Sequence, residues 1–293
     1  MIPPDVMREL RYLEVYTAKK IRNLRIGPYT SPLPGTGFEF DQHRPYREGD
    51  DVRRIDWNVT ARLNAPSLRM THAERELNVV VALDLSPSMT FGSTRHSKKE
   101  AMTFIAASIL FSASSDQINL GFLAFSDRVL HWSAPRRAGA RGWQLLEELW
   151  SIKASGTHTE IVPAIGHLVS SLRTMSVVCL VSDFITDEDV FGSAELRMLA
   201  SRHDVIAIVP EDPAEVTLPR GRGAIRMRDP ETGRSTRIGL SAGAQEAYAE
   251  AVAERRRTIV DACYRIPIDH LVVRTDEVVM EPLLNLFARR RLG

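Results

Sequence analysis

The sequence predicts an α/β protein: a doubly wound, mostly parallel sheet with helices on both faces, plus an N-terminal helix and a small β-rich segment. Three observations carry that expectation. Five apolar runs are continuous, as strands covered on both faces must be: "LNVVVALD" from Leu77, "INLGFLAF" from Ile118, "SVVCLVSD" from Ser176, "DVIAIVP" from Asp204 and "DHLVV" from Asp269. Helical stretches lie between or after them, at Ser97–Ser114, Gly142–Ile152, Thr159–Arg173, Asp187–Ser201 and Ser241–Tyr264, and such alternation gives a parallel sheet. The first of these is apolar nearly all round its middle (Met102, Phe104, Ile105, Ile109, Leu110, Phe111), the pattern of a helix buried against a sheet.

Ahead of the first strand, Pro3 and Pro4 suit a helix start, and Leu10, Leu13, Tyr16, Ile21 and Leu24 form an apolar stripe. The Gly/Pro-rich stretch "IGPYTSPLPGTG" (26–37) breaks that helix. Residues 38–76 are polar with short β-like pieces such as "LRMTHAE". The expected division is therefore 1–75 as a helix and β-rich segment, and 76–293 as the sheet domain. A hairpin insertion is expected near 215–240, where Ala224–Arg228 and Ser235–Leu240 flank the turn "DPETG".

At 293 residues the chain is long enough for one large domain with a smaller companion. A net charge of +1 gives no electrostatic case for nucleic acid or an anionic membrane as partner. The runs Arg255–Arg257 and Arg289–Arg291 read as solvated helix faces. Cys179 and Cys263 lie in apolar surroundings without CxxC spacing, which argues for a reducing compartment and against zinc or a disulfide scaffold. The longest apolar run, Phe104 to Phe111, is far short of the ~20 residues that span a bilayer. The start "MIPPDVMREL" lacks the apolar core of a signal peptide. The expectation is a cytoplasmic protein without membrane insertion.

In an open parallel sheet, ligands bind beyond the carboxyl ends of the strands. One strand here ends in Asp84-Leu85-Ser86-Pro87-Ser88 and a later one in Val181-Ser182-Asp183, while "SGTHTE" opens a helix between them. Residues two apart in extended chain point to one side, so Asp84, Ser86 and Ser88 can present three oxygens together. A serine-rich turn capping the next helix would also satisfy that short motif. Thr157 and Asp183 bring the set to five oxygen donors with no nitrogen or sulfur, the chemistry of a hard divalent cation: Mg²⁺ first, with Mn²⁺ or Ca²⁺ as alternatives.

These residues resemble a von Willebrand factor A domain, Rossmann-like in architecture, that carries a metal-ion-dependent adhesion site. Asp84, Ser86 and Ser88 match its DxSxS signature, Thr157 its loop threonine and Asp183 its strand-ending aspartate. The resemblance implies hydroxyls bound directly to the metal, aspartates acting through water, and a carboxylate from a partner protein completing the octahedron. Phe184 stands where the family often has glycine, and the loop reads Ser-Gly-Thr instead of Gly-Gly-Thr. His158, inside the loop, is expected at the rim as a hydrogen-bonding residue.

The stretch 38–70 sets Arg44, Arg47, Arg53, Arg54 and Arg62 against Asp41, Glu48, Asp50, Asp51 and Asp56, with Tyr46 and Trp57 among them. Mixed signs this dense suggest paired charges on a folded surface, either packed against the sheet domain or used to recognise another protein. Arg44, Tyr46, Gly49, Asp50, Asp51, Arg53, Ile55, Asp56, Trp57, Ala61 and Arg62 resemble the front signature of family 58 of the domains of unknown function. That resemblance implies a MoxR-type AAA+ ATPase as partner, with this chain as its adaptor or chaperone-like companion and an unknown client supplying the carboxylate.

The expected function is thus a metal-dependent protein–protein interaction module and not an enzyme. The alternative is a Mg²⁺-dependent hydrolase or phosphatase using the same strand ends. A haloacid-dehalogenase-type phosphatase would need a second acid where Ser86 stands, and neither a P-loop nor HExxH occurs.

Overall fold

The structure is a computed structural model that describes residues 2–21, 39–47, 50–72, 77–112, 118–137, 141–153, 156–278, 281–283 and 285–286. Leu24, Glu48, Gly49, the side chains of Ile21, Asp41 and Arg54, and Arg289–Arg291 lie outside the described residues. Along the chain come helix α1 (Pro4–Ile21), strand β1 (Glu39–Pro45), helix α2 (Trp57–Leu63) and strand β2 (Ser67–His72). Then follow β3 (Leu77–Asp84), α3 (Lys98–Ser112), β4 (Ile118–Phe125), β5 (Val129–Arg137), α4 (Arg141–Ser151), α5 (Ile161–Ser171) and β6 (Ser176–Val181). The last elements are α6 (Ala194–Arg202), β7 (Asp204–Glu211), α7 (Pro213–Val216), β8 (Ala224–Arg228), β9 (Ser235–Gly239), α8 (Ala242–Arg265) and β10 (Asp269–Arg274).

The chain forms two compact units, Met1–Gly27 with Leu77–Gly293, and Pro28–Glu76. The segment 1–75 expected from the sequence is divided between them, because α1 packs on α3 of the large unit. Val6 and Leu10 of α1 are buried. Glu9 pairs with Arg95 and His96, and Glu14 accepts from Trp143 Nε1 of α4 at 2.9 Å. Helix α3, buried at every residue from Ala101 to Phe111, thus has the sheet on one side and α1 on another. That explains its all-round apolar middle.

The large unit holds a six-stranded sheet in the order β10-β7-β6-β3-β4-β5. All neighbours are parallel except β4 and β5. Val80 and Ala82 of β3 cluster with Ile161, Ile165 and Leu168 of α5 and with Leu196 and Leu199 of α6. Val79, Val81 and Leu83 point the other way and are equally buried. Helices therefore cover both faces, as the continuous apolar runs require. The chain winds outward from β3 through β4 to β5, then returns to the other side of β3 as β6. Strand order reverses between β3 and β6, the point at which open α/β sheets bind ligands beyond their carboxyl ends.

In the large unit one strand was not expected and one expected helix starts later. Strand β5 is an antiparallel edge whose residues are half-buried or exposed, so it lacks the apolar run that marks the other strands. Helix α6 starts at Ala194, not Asp187. Ser193 caps it by accepting from Leu196 N at 3.2 Å, and the acids before it make a turn in which Asp189 accepts from Gly192 N at 2.9 Å.

In the small unit, β1 and β2 pair antiparallel, and the signature acids organise the chain between them. Asp50 accepts two bonds from the Arg44 guanidinium, both at 2.7 Å, and one from Arg47 N at 2.8 Å. Those donors hold its carboxyl down at about 2. Asp51 caps the turn Val52–Arg54 through Arg53 N at 3.0 Å. Asp56 caps α2 through Asn58 N and Val59 N and also meets His43 Nε2 at 3.0 Å. Helix α2 adds a short helix to the β-rich stretch expected from the sequence.

If α1 belongs to the sheet domain energetically, Leu10→Ala, at a site with no exposed surface, lowers the stability of the whole domain by about 2–5 kcal/mol. Denaturant unfolding followed at the sheet-domain tryptophans measures this, and an unchanged midpoint would show α1 to be an appendage.

Candidate metal centre

Asp84 ends β3 and Asp183 lies two residues beyond β6, so the reversal of strand order brings both to one pole. Asp84 is fully buried. Its Oδ1 accepts from Ser86 N at 2.8 Å and its Oδ2 from Ser182 Oγ at 2.7 Å. Beyond it, Ser86 Oγ and Ser88 Oγ share a hydrogen bond of 3.0 Å, so the two hydroxyls face one another as the alternating pattern predicts. Pro87–Thr90 form a short 3₁₀ turn that carries Ser88 inward, where it is buried.

Asp183 is 3% exposed; its Oδ1 accepts from Ile185 N at 3.0 Å and its Oδ2 from Lys98 Nζ at 2.8 Å. Lys98, at the start of α3, has no exposed surface and also donates to Glu215 Oε1 of α7 at 2.6 Å. Burial alone would lower the ammonium's pKa, but Asp183 and Glu215 outweigh it and raise it, so Lys98 is a fixed positive charge. Asp84 has no such partner. Among the described residues, no cationic side chain pairs with it. Burial, then the charge of Asp183, push its carboxyl up to about 7 against the opposing bonds from Ser182 and Ser86.

Thr157 lies on the loop before α5, exposed, with its hydroxyl 3.1 Å from His158 Nδ1. His158 Nε2 in turn meets Glu160 Oε1 at 3.0 Å, which raises the imidazole's pKa. Thus Asp84, Ser86 and Ser88 are joined through direct bonds, Asp183 acts on them by its charge, and Thr157 turns its hydroxyl to His158. Gly156 fixes the loop: its φ is +97°, and a Cβ there would stand 2.4 Å from Ser126 Oγ. Ser155 lies outside the described residues.

The departure at Phe184 has a backbone consequence. Its φ is +54°, the left-handed region where glycine sits freely and a bulky residue costs about 1–2 kcal/mol. The buried ring, 5.3 Å from that of Phe191, offsets that cost by packing into the core. Phe184 N donates to Ser182 Oγ at 3.0 Å, so the same turn orients the serine that holds Asp84.

The donors suit a hard divalent cation. A buried, cation-free carboxylate stands beside two alcohols and within the field of a second acid, all of them oxygen ligands. Among the described residues, no group of three or more His, Cys, Asp or Glu side chains could hold a metal, so any site here leans on hydroxyls. Four residues that matter were not picked out in the sequence. Ser182, read only as part of a strand end, donates to Asp84; Lys98 and Glu215 form a pair beside Asp183; and Glu231 of the hairpin turn accepts from Thr159 Oγ1 at 2.7 Å.

The reversed strand order with acids and alcohols at the switch point defines an open α/β domain with a strand-end site. The chain belongs to the family described as "Protein of unknown function DUF58", whose model matches residues 42–258. It is 29% identical to the uncharacterized protein Rv1480 of Mycobacterium tuberculosis over 292 residues, 99% of this chain and 91% of that one. Similar solved structures include an aerotolerance-related membrane protein from Bacteroides fragilis with multiple mutations to serines. It shares 15% identity at TM-score 0.48 over 73% of this chain and 98% of that one. A von Willebrand factor type A structure from Catenulispora acidiphila shares 12% identity at TM-score 0.43, over 75% and 44% of the two chains. No described helix is long and apolar enough to cross a membrane.

An unfolded aspartate titrates near about 4, so between there and about 7 the metal-free fold keeps a proton on Asp84 that the unfolded chain has released. Metal-free stability therefore falls as pH rises through that window and levels off above it, by roughly 4 kcal/mol in all. Asp84→Asn should remove this contribution. In chelator it should melt higher than wild type at pH 8, with the advantage shrinking by pH 5.

Lys98→Met leaves the buried Asp183 and the half-buried Glu215 without their ammonium and should cost about 3–5 kcal/mol in chelator. Added Mg²⁺ should raise the melting temperature of this variant more than that of wild type, because a competing positive charge has gone.

Proposed function

We propose that this chain is a metal-dependent protein–protein interaction module. A divalent cation, Mg²⁺ first, would be held by Asp84, Ser86, Ser88, Thr157 and Asp183 at the carboxyl end of the sheet. The observation that carries this reading is Asp84: a fully buried carboxylate with no cationic partner among the described residues, beside two serine hydroxyls 3.0 Å apart. A cation held mainly by neutral hydroxyls keeps much of its charge for an outside ligand, and a carboxylate on another protein is the matching group. Thr157 would turn from His158 to join the set, a rotation open to an exposed side chain.

The family signature supports a MoxR-type AAA+ ATPase as the partner, with a client protein supplying the acid. Two buried cysteines outside any disulfide support a reducing, cytoplasmic setting. The hydrolase alternative has little to work with. Ser86 and Ser88 bond to each other, and the Thr157–His158–Glu160 relay is exposed, with an imidazole biased toward its protonated form. Gly239-Leu240-Ser241-Ala242-Gly243 spells a Gly-x-Ser-x-Gly sequence, but Ser241 is an unstrained cap with φ −78° whose Oγ accepts from Ala244 N. A nucleophile elbow needs a sharp, strained turn.

Calorimetric titration with Mg²⁺ and Mn²⁺ tests the reading. Wild type should give one site per chain, and Asp84→Asn should abolish the heat of binding. Capture of the ATPase or client should weaken in EDTA; capture indifferent to chelator, with no heat in wild type, would show the reading to be wrong.

A further inference from the structure

The hairpin β8–β9 has features that its own folding does not require. Residues 219–240 carry Arg220, Arg222, Arg226, Arg228, Arg234 and Arg237 against only Asp229 and Glu231, in a chain whose net charge is +1. All six arginines are exposed, and none forms an ion pair with a described residue. Arg226 stands directly opposite Arg237 in the strand register. Like charges across a two-stranded ladder destabilise it, so the pair works against the element that carries it. The hairpin contains no aromatic residue on which a base could stack.

The turn of the hairpin has the opposite character. Asp229 organises it, accepting from Glu231 N at 2.9 Å, while Asp229 N donates to Arg234 O at 2.8 Å and Gly233 takes φ +69°. That scaffold presents Glu231 to the segment that carries Thr157 and leads into α5. Its Oε1 accepts from Thr159 Oγ1, two residues after Thr157, at 2.7 Å. Both Asp183 and His158 act on it through their charges. The turn therefore brings the chain's own half-buried carboxylate to the loop that carries Thr157.

We propose that the β8–β9 hairpin is a docking arm for an acidic protein segment, and that Glu231 holds the place at the cation which a carboxylate of that segment takes over. The proposal rests on the metal-centre reading above and names the partner's chemistry. The arginines draw an acidic chain toward the pole, giving a rate and affinity that fall with salt. The partner's acid then displaces Glu231, so the arm releases its own carboxylate only to a segment that satisfies both the arginines and the cation. A single stray carboxylate, without the accompanying negative charge, competes poorly. In this way the latch confers selectivity on a site whose metal would accept any acid.

Poly-L-glutamate serves as the probe, with Mn²⁺ titrated separately by calorimetry on the full chain. Glu231→Gln keeps the acceptor for Thr159 and the size of the side chain, so the turn is preserved. It should bind poly-L-glutamate at least about fivefold more tightly than wild type in Mn²⁺, and no better than wild type in EDTA. Arg226→Gln/Arg237→Gln should weaken that binding and flatten its salt dependence while leaving the Mn²⁺ titration unchanged. Mn²⁺ should also protect wild type from trypsin at Arg228 and Arg234, and protect Glu231→Gln less. If wild type binds Mn²⁺ but Glu231→Gln alters neither polyglutamate affinity nor protection, the latch is wrong and the metal centre stands. If wild type takes up no Mn²⁺, both fall. Tighter, metal-indifferent binding to duplex DNA or to anionic vesicles would also overturn the proposal.

Discussion

The Lys98 ammonium, sealed between Asp183 and Glu215, sets the charge balance at the pole of the sheet. Three acids, Asp84, Asp183 and Glu215, gather there with one fixed cation, which pairs with the last two and not with Asp84. With all three ionised, they exceed it by two charges. Water cannot screen that excess where Asp84 and Lys98 have no exposed surface. Protonating Asp84 relieves it, in keeping with the raised pKa of that carboxyl, and a doubly charged cation would relieve it as well. Lys98 thus keeps Asp183 and Glu215 in place without neutralising the pole, and Asp84 is left as the group whose charge a metal would satisfy.

That balance is useful only if the oxygens cannot drift, and the local backbone supplies the stiffness. Ser182 is gripped from both sides, donating to Asp84 and accepting from Phe184 N. Phe184 is held in a left-handed conformation by the burial of its ring, so the turn after Asp183 cannot relax without exposing that ring. Gly156 leaves no room for a Cβ against Ser126 and Asp127, which fixes the path of the loop into Thr157. Only Thr157 itself is left exposed. With Asp84, Ser86, Ser88 and Asp183 buried and Thr157 exposed, a cation bound there would call for rotation of one surface hydroxyl and no reorganisation of the sheet beneath it.

The large-scale fold was legible because burial on both faces leaves an unmistakable trace. Val79 to Leu83, Val177 to Val181 and Val205 to Ile208 are unbroken apolar runs since neither side of those strands meets water. Strand β5 left no such trace: at the edge, with His131, Pro135, Arg136 and Arg137, it meets solvent and borrows its hydrogen bonds from β4 alone. Helix α2 is seven residues long with no buried residue, so it has no apolar stripe to read, and Asp56 as its cap is the main clue. At the candidate site, the alternation of Asp84, Ser86 and Ser88 was readable because two-residue periodicity is local. Lys98 and Glu231 were not, since their importance comes from contacts 85 and 72 residues away in sequence.

The small unit shows the same division between residues used for folding and residues left over. Arg44, Asp50, Asp51 and Asp56 are consumed in caps and a bidentate pair, which is why the signature is dense in both signs without being a charged patch. Trp57 is not consumed: it opens α2 with 69% of its surface exposed, on a helix that buries nothing. Val52 and Leu63 are exposed beside it in sequence, at 57% and 63%. Folding alone would favour a polar residue at each position, since burial gains nothing there. The capped turns fix the backbone on which these apolar side chains sit. Trp57 is therefore a signature residue that the unit's own fold does not use, set among outward apolar neighbours and separate in chemistry from the oxygen-lined pole of the sheet.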